Sequence, residues 1–145
     1  MKRQATAHWE GALGDGKGTL DTQSGTLSAT PYSFKARFED ESGKSGTNPE
    51  ELLAAAHAGC FAMQLSHFLA EAGHPAESLD AKAVVSVDQV EDGFAITSSH
   101  LTLDARVPGM DEAAFMEQAN KAKETCPLSK ALGAIEVTLD ATLQG

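Results

Sequence analysis

Apolar and polar positions alternate in short stretches at the start of the chain. Ala5, Ala7 and Trp9 alternate with polar residues, Leu20 and Leu27 lie either side of Ser24-Gly25, and Phe34, Ala36 and Phe38 alternate again. This period of two predicts an N-terminal set of short strands. At Asn48-Pro49-Glu50-Glu51 the pattern turns helical: Asn48 is an N-cap, Pro49 suits the first helical position, and Glu51 can close a capping box. The segment that follows is apolar nearly all round, from Leu52 and Leu53 through Phe61, Met63 and Leu65 to Phe68 and Leu69. It predicts a buried central helix running to Gly73.

Further on, the odd positions Leu79, Ala81, Ala83, Val85 and Val87 are apolar, and Glu91-Asp92-Gly93 turns the chain into Phe94-Ala95-Ile96, which predicts a hairpin. In its second strand the apolar phase changes from even (Phe94, Ile96) to odd (Leu101, Leu103, Ala105, Val107), so a bulge is required near Ser98 to His100. Pro108-Gly109 ends that strand, and residues 111–124 are rich in helix formers. After Cys126-Pro127 a short helix extends to Leu132, and Ile135, Val137, Leu139, Ala141 and Leu143 alternate as a closing strand. Strands grouped around two main helices argue for an α+β fold, with residues 1–145 as a single domain, and against a parallel βαβ arrangement.

Size and charge narrow the choice of function. At 145 residues and 15.2 kDa, with 41% hydrophobic and 22% charged residues, the chain is neither a disordered tail nor a typical two-domain enzyme. Eleven Lys and Arg against 21 Asp and Glu leave a net charge of −10, which repels phosphate backbones and anionic lipid. Neither nucleic acid nor a membrane is therefore expected as a partner. Met1 to Trp9 lacks the apolar centre of a signal peptide, and no apolar run reads as long enough to span a bilayer, so the expectation is a soluble, cytoplasmic protein.

Two cysteines are too few for a secreted disulfide scaffold, and they become the first candidates for chemistry. On the predicted helix His57, Gln64, His67 and Glu71 recur at spacings of seven, three and four, and Cys60 falls on the same stripe. A free Cys there also suits close packing between helices. Cys126 precedes Pro127 at a helix start, where unpaired backbone N–H groups and the helix dipole favour a thiolate, although a buried Cys at a helix junction has the same pattern. Taken together the cysteines suit a nucleophile and a resolving thiol. His57, Cys60 and Cys126 lack the paired spacing of structural zinc, so no metal and no cofactor is implied. Gly14 to Thr19 has its lysine too early for a phosphate loop and predicts a hairpin turn. No Gly-x-Ser-x-Gly elbow is present, and Ser66 beside His67 has no evident third partner for hydrolase chemistry.

The stretches GTNPEELLAAAHAGCF (Gly46 to Phe61) and CPLSKAL (Cys126 to Leu132) resemble the OsmC/Ohr family of thiol peroxidases. So do AHWEG (Ala7 to Gly11), YSFKARFE (Tyr32 to Glu39), GFAIT (Gly93 to Thr97) and VPGMD (Val107 to Asp111), so that the match runs in order along nearly the whole chain. The resemblance implies an α+β fold of antiparallel sheets around two long central helices, made by two intertwined chains with active sites shared across the homodimer. It implies reduction of organic hydroperoxides, and of hydrogen peroxide more weakly, in oxidative and osmotic stress defence, with an external dithiol of lipoyl type as reductant. Cys60 matches the peroxidatic cysteine and Cys126 the resolving one, which implies a Cys60 to Cys126 disulfide. Glu50 matches the glutamate that holds the catalytic arginine. The Ohr branch places that arginine in the early glycine-rich region, where this chain has Lys17; the OsmC branch resembles the chain better, and there Arg37 is the matching residue.

These implied roles make chemical sense. An ordinary thiol of pKa ~8.5 is only ~3% thiolate at pH 7, so a guanidinium that lowers it to ~6 raises the reactive fraction about thirtyfold. Arg37 alternates opposite to Phe34, Ala36 and Phe38 on the strand predicted there, and so points away from that strand's apolar side. Glu50 and Cys60 are separated by about 15 Å along the axis of one continuous helix, which implies that a Glu50 serving Cys60 comes from the partner chain. The same cysteines also fit a redox-sensing or binding protein in which they form a regulatory disulfide without turnover.

Overall fold

In the computed structural model, which describes all 145 residues, the chain divides into two units, Met1–Leu52 and Leu53–Gly145. The first is an antiparallel meander of β1 (Ala5–Glu10), β2 (Lys17–Thr22) and β3 (Thr30–Tyr32). Trp9 and Tyr32 pack with ring centroids 5.4 Å apart across buried Gly18. A Cβ on Gly18 would fall 2.3 Å from the His8 carbonyl oxygen and 2.6 Å from the Tyr32 ring, so only glycine admits this close approach.

Residues Phe34–Phe38 form a short helix, α1, where the alternation predicted a strand. Five residues cannot separate a period of two from one of 3.6, because Phe34 and Phe38 are also an i, i+4 pair, and their rings stack at 5.1 Å. Ser33 decides the outcome: its backbone is extended and its hydroxyl accepts the Ala36 N–H at 3.1 Å, an N-cap that starts the helix. Downstream, the Asp40 carboxylate accepts the Ser42 hydroxyl at 2.6 Å and the Ser45 and Lys44 N–H groups at 2.7 and 2.9 Å. Those bonds, the Ser42 hydroxyl foremost, hold its pKa well below the usual carboxylate range and tie the loop before the long helix.

The long helix, α2, spans Pro49–Glu71. Asn48 Oδ1 accepts the Glu51 N–H at 2.8 Å as expected, whereas the Glu51 carboxylate accepts the Thr47 hydroxyl at 2.7 Å. At its other end Gly73 takes φ +83° and the His74 N–H reaches the Leu69 carbonyl at 2.9 Å, which closes the last turn. By length and composition α2 is long and apolar enough to cross a membrane, with a mean hydropathy of 1.3. This corrects the expectation that no run reaches that length.

In the second unit β4 (Ser78–Val90) and β5 (Gly93–Arg106) form the expected antiparallel hairpin. The register shifts between Ser86, opposite Ser98, and Val87, opposite Ile96, so Thr97 is the extra residue, just before the window predicted. Its hydroxyl donates to Asp88. Helices α3 (Glu112–Thr125) and α4 (Pro127–Ala131) lead to β6 (Glu136–Gln144), which pairs parallel to β5. The sheet is therefore mixed, and the α+β fold holds one local βαβ crossover that strand grouping did not reveal. The core comprises Phe61, Leu65 and Leu69 of α2, Leu101 and Leu103 of β5, and Phe115, Ala119 and Ala122 of α3. Only this side of α2 is buried within the chain: Ala55, Ala56, Gly59, Ser66 and Ala70 are exposed on the other, and Met63 is 75% exposed.

Candidate active site: paired thiols

Cys126 caps two helices at once. Its N–H donates to the Ala122 carbonyl at 3.0 Å, ending α3, and its extended backbone turns the chain into α4, where its sulfur accepts the Ser129 N–H at 3.3 Å. Pro127 supports the turn, because its missing N–H is one that the first turn of a helix leaves unpaired. The Cys126 thiol is fully buried. Cys60, on α2, packs against the buried cluster that holds Cys126, close enough for the two thiols and the Leu128 backbone N–H to act on one another electrostatically. The structure thus brings the two candidate thiols together, both free, across 66 positions of sequence.

Burial pushes the Cys60 thiol above its ordinary value, the Leu128 N–H opposes this, and the neighbouring Cys126 adds to the rise. Within this unit no cation offsets these effects at the thiol. A cleft of about 300 Å³ lined by Cys60, Met63, Gln64, His67 and Pro127 opens beside the sulfur.

His57 departs from the polar stripe assigned to it. It is fully buried, with Nδ1 2.7 Å from Ser99 Oγ and Nε2 2.8 Å from Ser129 Oγ, while His67 pairs with Glu71 at 3.4 Å on the exposed side. Burial lowers the His57 pKa and keeps the ring neutral. Ser129 Oγ lies 3.1 Å from Cys126 Sγ, so a line of contacts runs from Ser99 through His57 and Ser129 to the sulfur. Ser99 and Ser129 were not singled out from sequence. The available signal was Ser99's inward phase on β5, shared with Leu101 and Leu103, where an apolar residue belongs.

In the first unit Arg37 and Glu50 form the pair that the resemblance implied. Arg37 Nη2 donates to Glu50 Oε1 at 2.6 Å, and Nε donates to both carboxylate oxygens at 3.1 Å. Glu50 is only 7% exposed, whereas the guanidinium stays partly open. Its Cζ lies 4.8 Å from the Phe38 ring centroid. Arg37 borders a cleft of about 300 Å³ walled by Trp9, Leu13, Tyr32, Phe34 and Phe38, an apolar surface with one cationic edge. Lys17 lies on β2 and lines a different cleft with His8 and Glu10.

A pair of neighbouring thiols, one half-buried and one fully buried, on an α+β fold with a separately anchored guanidinium defines a dithiol redox protein. Comparison with known proteins makes this more specific. Residues 41–140 match the family model described as OsmC-like protein. The chain is 50% identical to Peroxiredoxin OsmC of Escherichia coli (strain K12) over 144 residues, 99% of this chain and 98% of that protein. It is 32% identical to the organic hydroperoxide resistance protein OhrB of Bacillus subtilis (strain 168), covering 89% of this chain and 92% of that one. The crystal structure of an organic hydroperoxide resistance protein from Elizabethkingia anophelis superposes with a TM-score of 0.75 at 25% identity, covering 99% of each chain. The chain belongs to the OsmC family.

Proposed function

We propose that this chain is a cysteine-based peroxidase that reduces organic hydroperoxides to alcohols, and hydrogen peroxide more weakly, in the defence against oxidative and osmotic stress. The observation that carries this reading is that Cys60, beside an open cleft, neighbours the buried Cys126. The Cys60 thiolate attacks the distal oxygen of ROOH; the O–O bond breaks, RO⁻ leaves and takes a proton to become ROH, and the sulfur becomes a sulfenic acid. Cys126 then displaces hydroxide from that sulfur, giving water and a Cys60 to Cys126 disulfide. An external dithiol, of lipoyl type, reduces the disulfide and resets the enzyme. The chain works in the cytoplasm as one domain and without a cofactor.

Arg37, held by Glu50, supplies the activating charge from a second copy of the chain. The pair sits at the start of α2 and the thiol ten residues further on, about 15 Å along the axis. The exposed stripe from Ala55 to Ala70 offers the second copy an apolar, small-residue surface of the kind helices pack against closely, on a twofold axis. The Arg37 cleft then presents its aromatic wall to the organic group of the peroxide, while the guanidinium donates to the oxygen on which negative charge develops.

The test is coupled peroxidase activity with cumene hydroperoxide and hydrogen peroxide, run with lipoyl and thioredoxin reducing systems. Multiple turnovers, faster with cumene hydroperoxide, are expected. Consumption of one peroxide per chain and no more would leave a regulatory disulfide without catalysis.

A further inference from the structure

Three fully or almost fully buried polar side chains of the second unit, His57, Ser99 and Ser129, stand in one line that ends on a sulfur. They come from three different elements: α2, the inward face of β5, and the first turn of α4. Buried hydroxyls and an imidazole are costly unless bonded, and each of these is bonded to the next. A core that needed only packing would be served as well by apolar residues of the same shape. The line also has a direction, because a neutral imidazole has one N–H and one lone pair.

We propose that Ser129 and His57 form a proton relay for Cys126, which releases the thiol proton at the moment Cys126 attacks the sulfenic acid on Cys60. This rests on the proposed disulfide chemistry and adds to it how the resolving thiol, fully buried itself, is activated. The relay uses the tautomer in which Nδ1–H donates to Ser99 Oγ, 2.7 Å away, and the Nε2 lone pair accepts from the Ser129 hydroxyl, 2.8 Å away. The Cys126 S–H then donates to Ser129 Oγ at 3.1 Å. As Cys126 attacks, its proton passes to Ser129 Oγ and the Ser129 proton passes to Nε2, leaving an imidazolium and a thiolate that still accepts the Ser129 N–H at 3.3 Å. The new S–S bond forms and the S–O bond breaks. The hydroxide departs with that bond's electron pair on the side of Cys60 away from Cys126 and takes up a proton from solvent in the cleft beside Cys60. Water and a disulfide are formed, and the imidazolium keeps the Cys126 proton until reduction of the disulfide regenerates the Cys126 thiolate, to which the relay returns it. Ser129 touches the reacting sulfur; His57 acts through it as a positioning residue.

The experiment mixes reduced protein with one equivalent of cumene hydroperoxide and follows two steps in the same sample: sulfenic acid formation by trapping at Cys60, and closure by loss of the Cys126 thiol. Wild type, S129A, S129T and H57Q are compared, each shown to be folded by circular dichroism. Closure, taken relative to sulfenic acid formation, should fall by about 10²-fold in S129A and H57Q, the size expected when a positioned proton acceptor is lost. S129T, which keeps the hydroxyl, should restore most of it, and S129A should accumulate over-oxidised Cys60. Equal closure in S129A and S129T, or wild-type closure in H57Q, would overturn the relay while leaving the disulfide chemistry intact. A wild-type protein that consumes peroxide without forming the Cys60 to Cys126 disulfide would overturn both.

Discussion

Replacing Arg37 with alanine tests how the Cys60 thiol becomes reactive. Within its own unit the thiol is pushed above its ordinary value by burial, so less than ~3% is thiolate at pH 7. A unit positive charge about 4 Å from the sulfur contributes at most ~4 kcal/mol at an effective dielectric of ~20. Glu50, bonded to Nε and Nη2, cancels part of this, but the pair leaves Nη1 outside its bonds. Roughly 2 kcal/mol then remains, which multiplies the reactive fraction about thirtyfold. Donation to the peroxide oxygen adds to it, so Arg37→Ala should lower the second-order rate of Cys60 oxidation by at least ~10²-fold. Arg37→Lys should recover little, because a point charge cannot be held by the carboxylate and reach the oxygen at once. The assay is stopped-flow oxidation by cumene hydroperoxide, with ultraviolet titration of the thiolate in a Cys126→Ser background so that one thiol titrates. A near-wild-type rate in Arg37→Ala would refute the reasoning and hand the role to Lys17 or another cation.

Further outcomes follow from the same geometry. With no thiol to condense with, Cys126→Ser should stop at the sulfenic acid and over-oxidise, while Cys60→Ser should be inert to stoichiometric peroxide; mass spectrometry of the peptides distinguishes them. Mixing Cys60→Ser with Glu50→Ala under exchange conditions should restore about one working site per mixed dimer, and a mixture that stays inactive despite heterodimer formation argues for sites confined to one chain. Because burial holds the His57 pKa below its ordinary 6.5, the unfolded chain binds a proton that the folded one refuses; the stability this group contributes is full above that value and is lost as pH falls through it. Denaturant melts between about pH 5 and pH 7 should therefore show a shallower loss of stability in His57→Gln than in wild type. Gly18→Ala should cost about 1–3 kcal/mol, read as a lower melting temperature, since its Cβ would fall 2.3 Å from the His8 carbonyl.

Much of the second unit was legible as pattern. The odd-phase residues of β4, the Glu91-Asp92 turn, the phase change in β5 and the helix formers from residue 111 are local signals, as is the Asn48 cap in the first unit, and the elements begin and end close to where those signals lie. What failed was non-local or too short. Phe34–Phe38 fits two periods, and the Ser33 hydroxyl chooses between them. The parallel pairing of β6 depends on where α3 and α4 return the chain, which no strand carries in its own residues. The stripe holding His57 and Cys60 was real as helix geometry, but it could not show that one end of it meets Ser99 and Ser129 in the core while His67 and Glu71 meet solvent. Likewise Cys60 and Cys126 could be picked out as a candidate couple by their types and settings, while their proximity required the tertiary structure.

The parallel pairing of β5 and β6 sets an order on the protein's folding during synthesis. Antiparallel neighbours can close as soon as a turn has left the ribosome, whereas a parallel neighbour waits for its whole crossover. Cys126 lies inside that crossover, between α3 and α4, and β6 follows it in the chain. The helix that carries Cys60 and the hairpin it packs on are therefore translated before Cys126 and before the strand that completes its crossover. On the proposed chemistry, a nascent chain, or one truncated before Cys126, holds Cys60 with no second thiol to close a disulfide on it, so any oxidation of Cys60 at that stage stops at the sulfenic acid or passes beyond it.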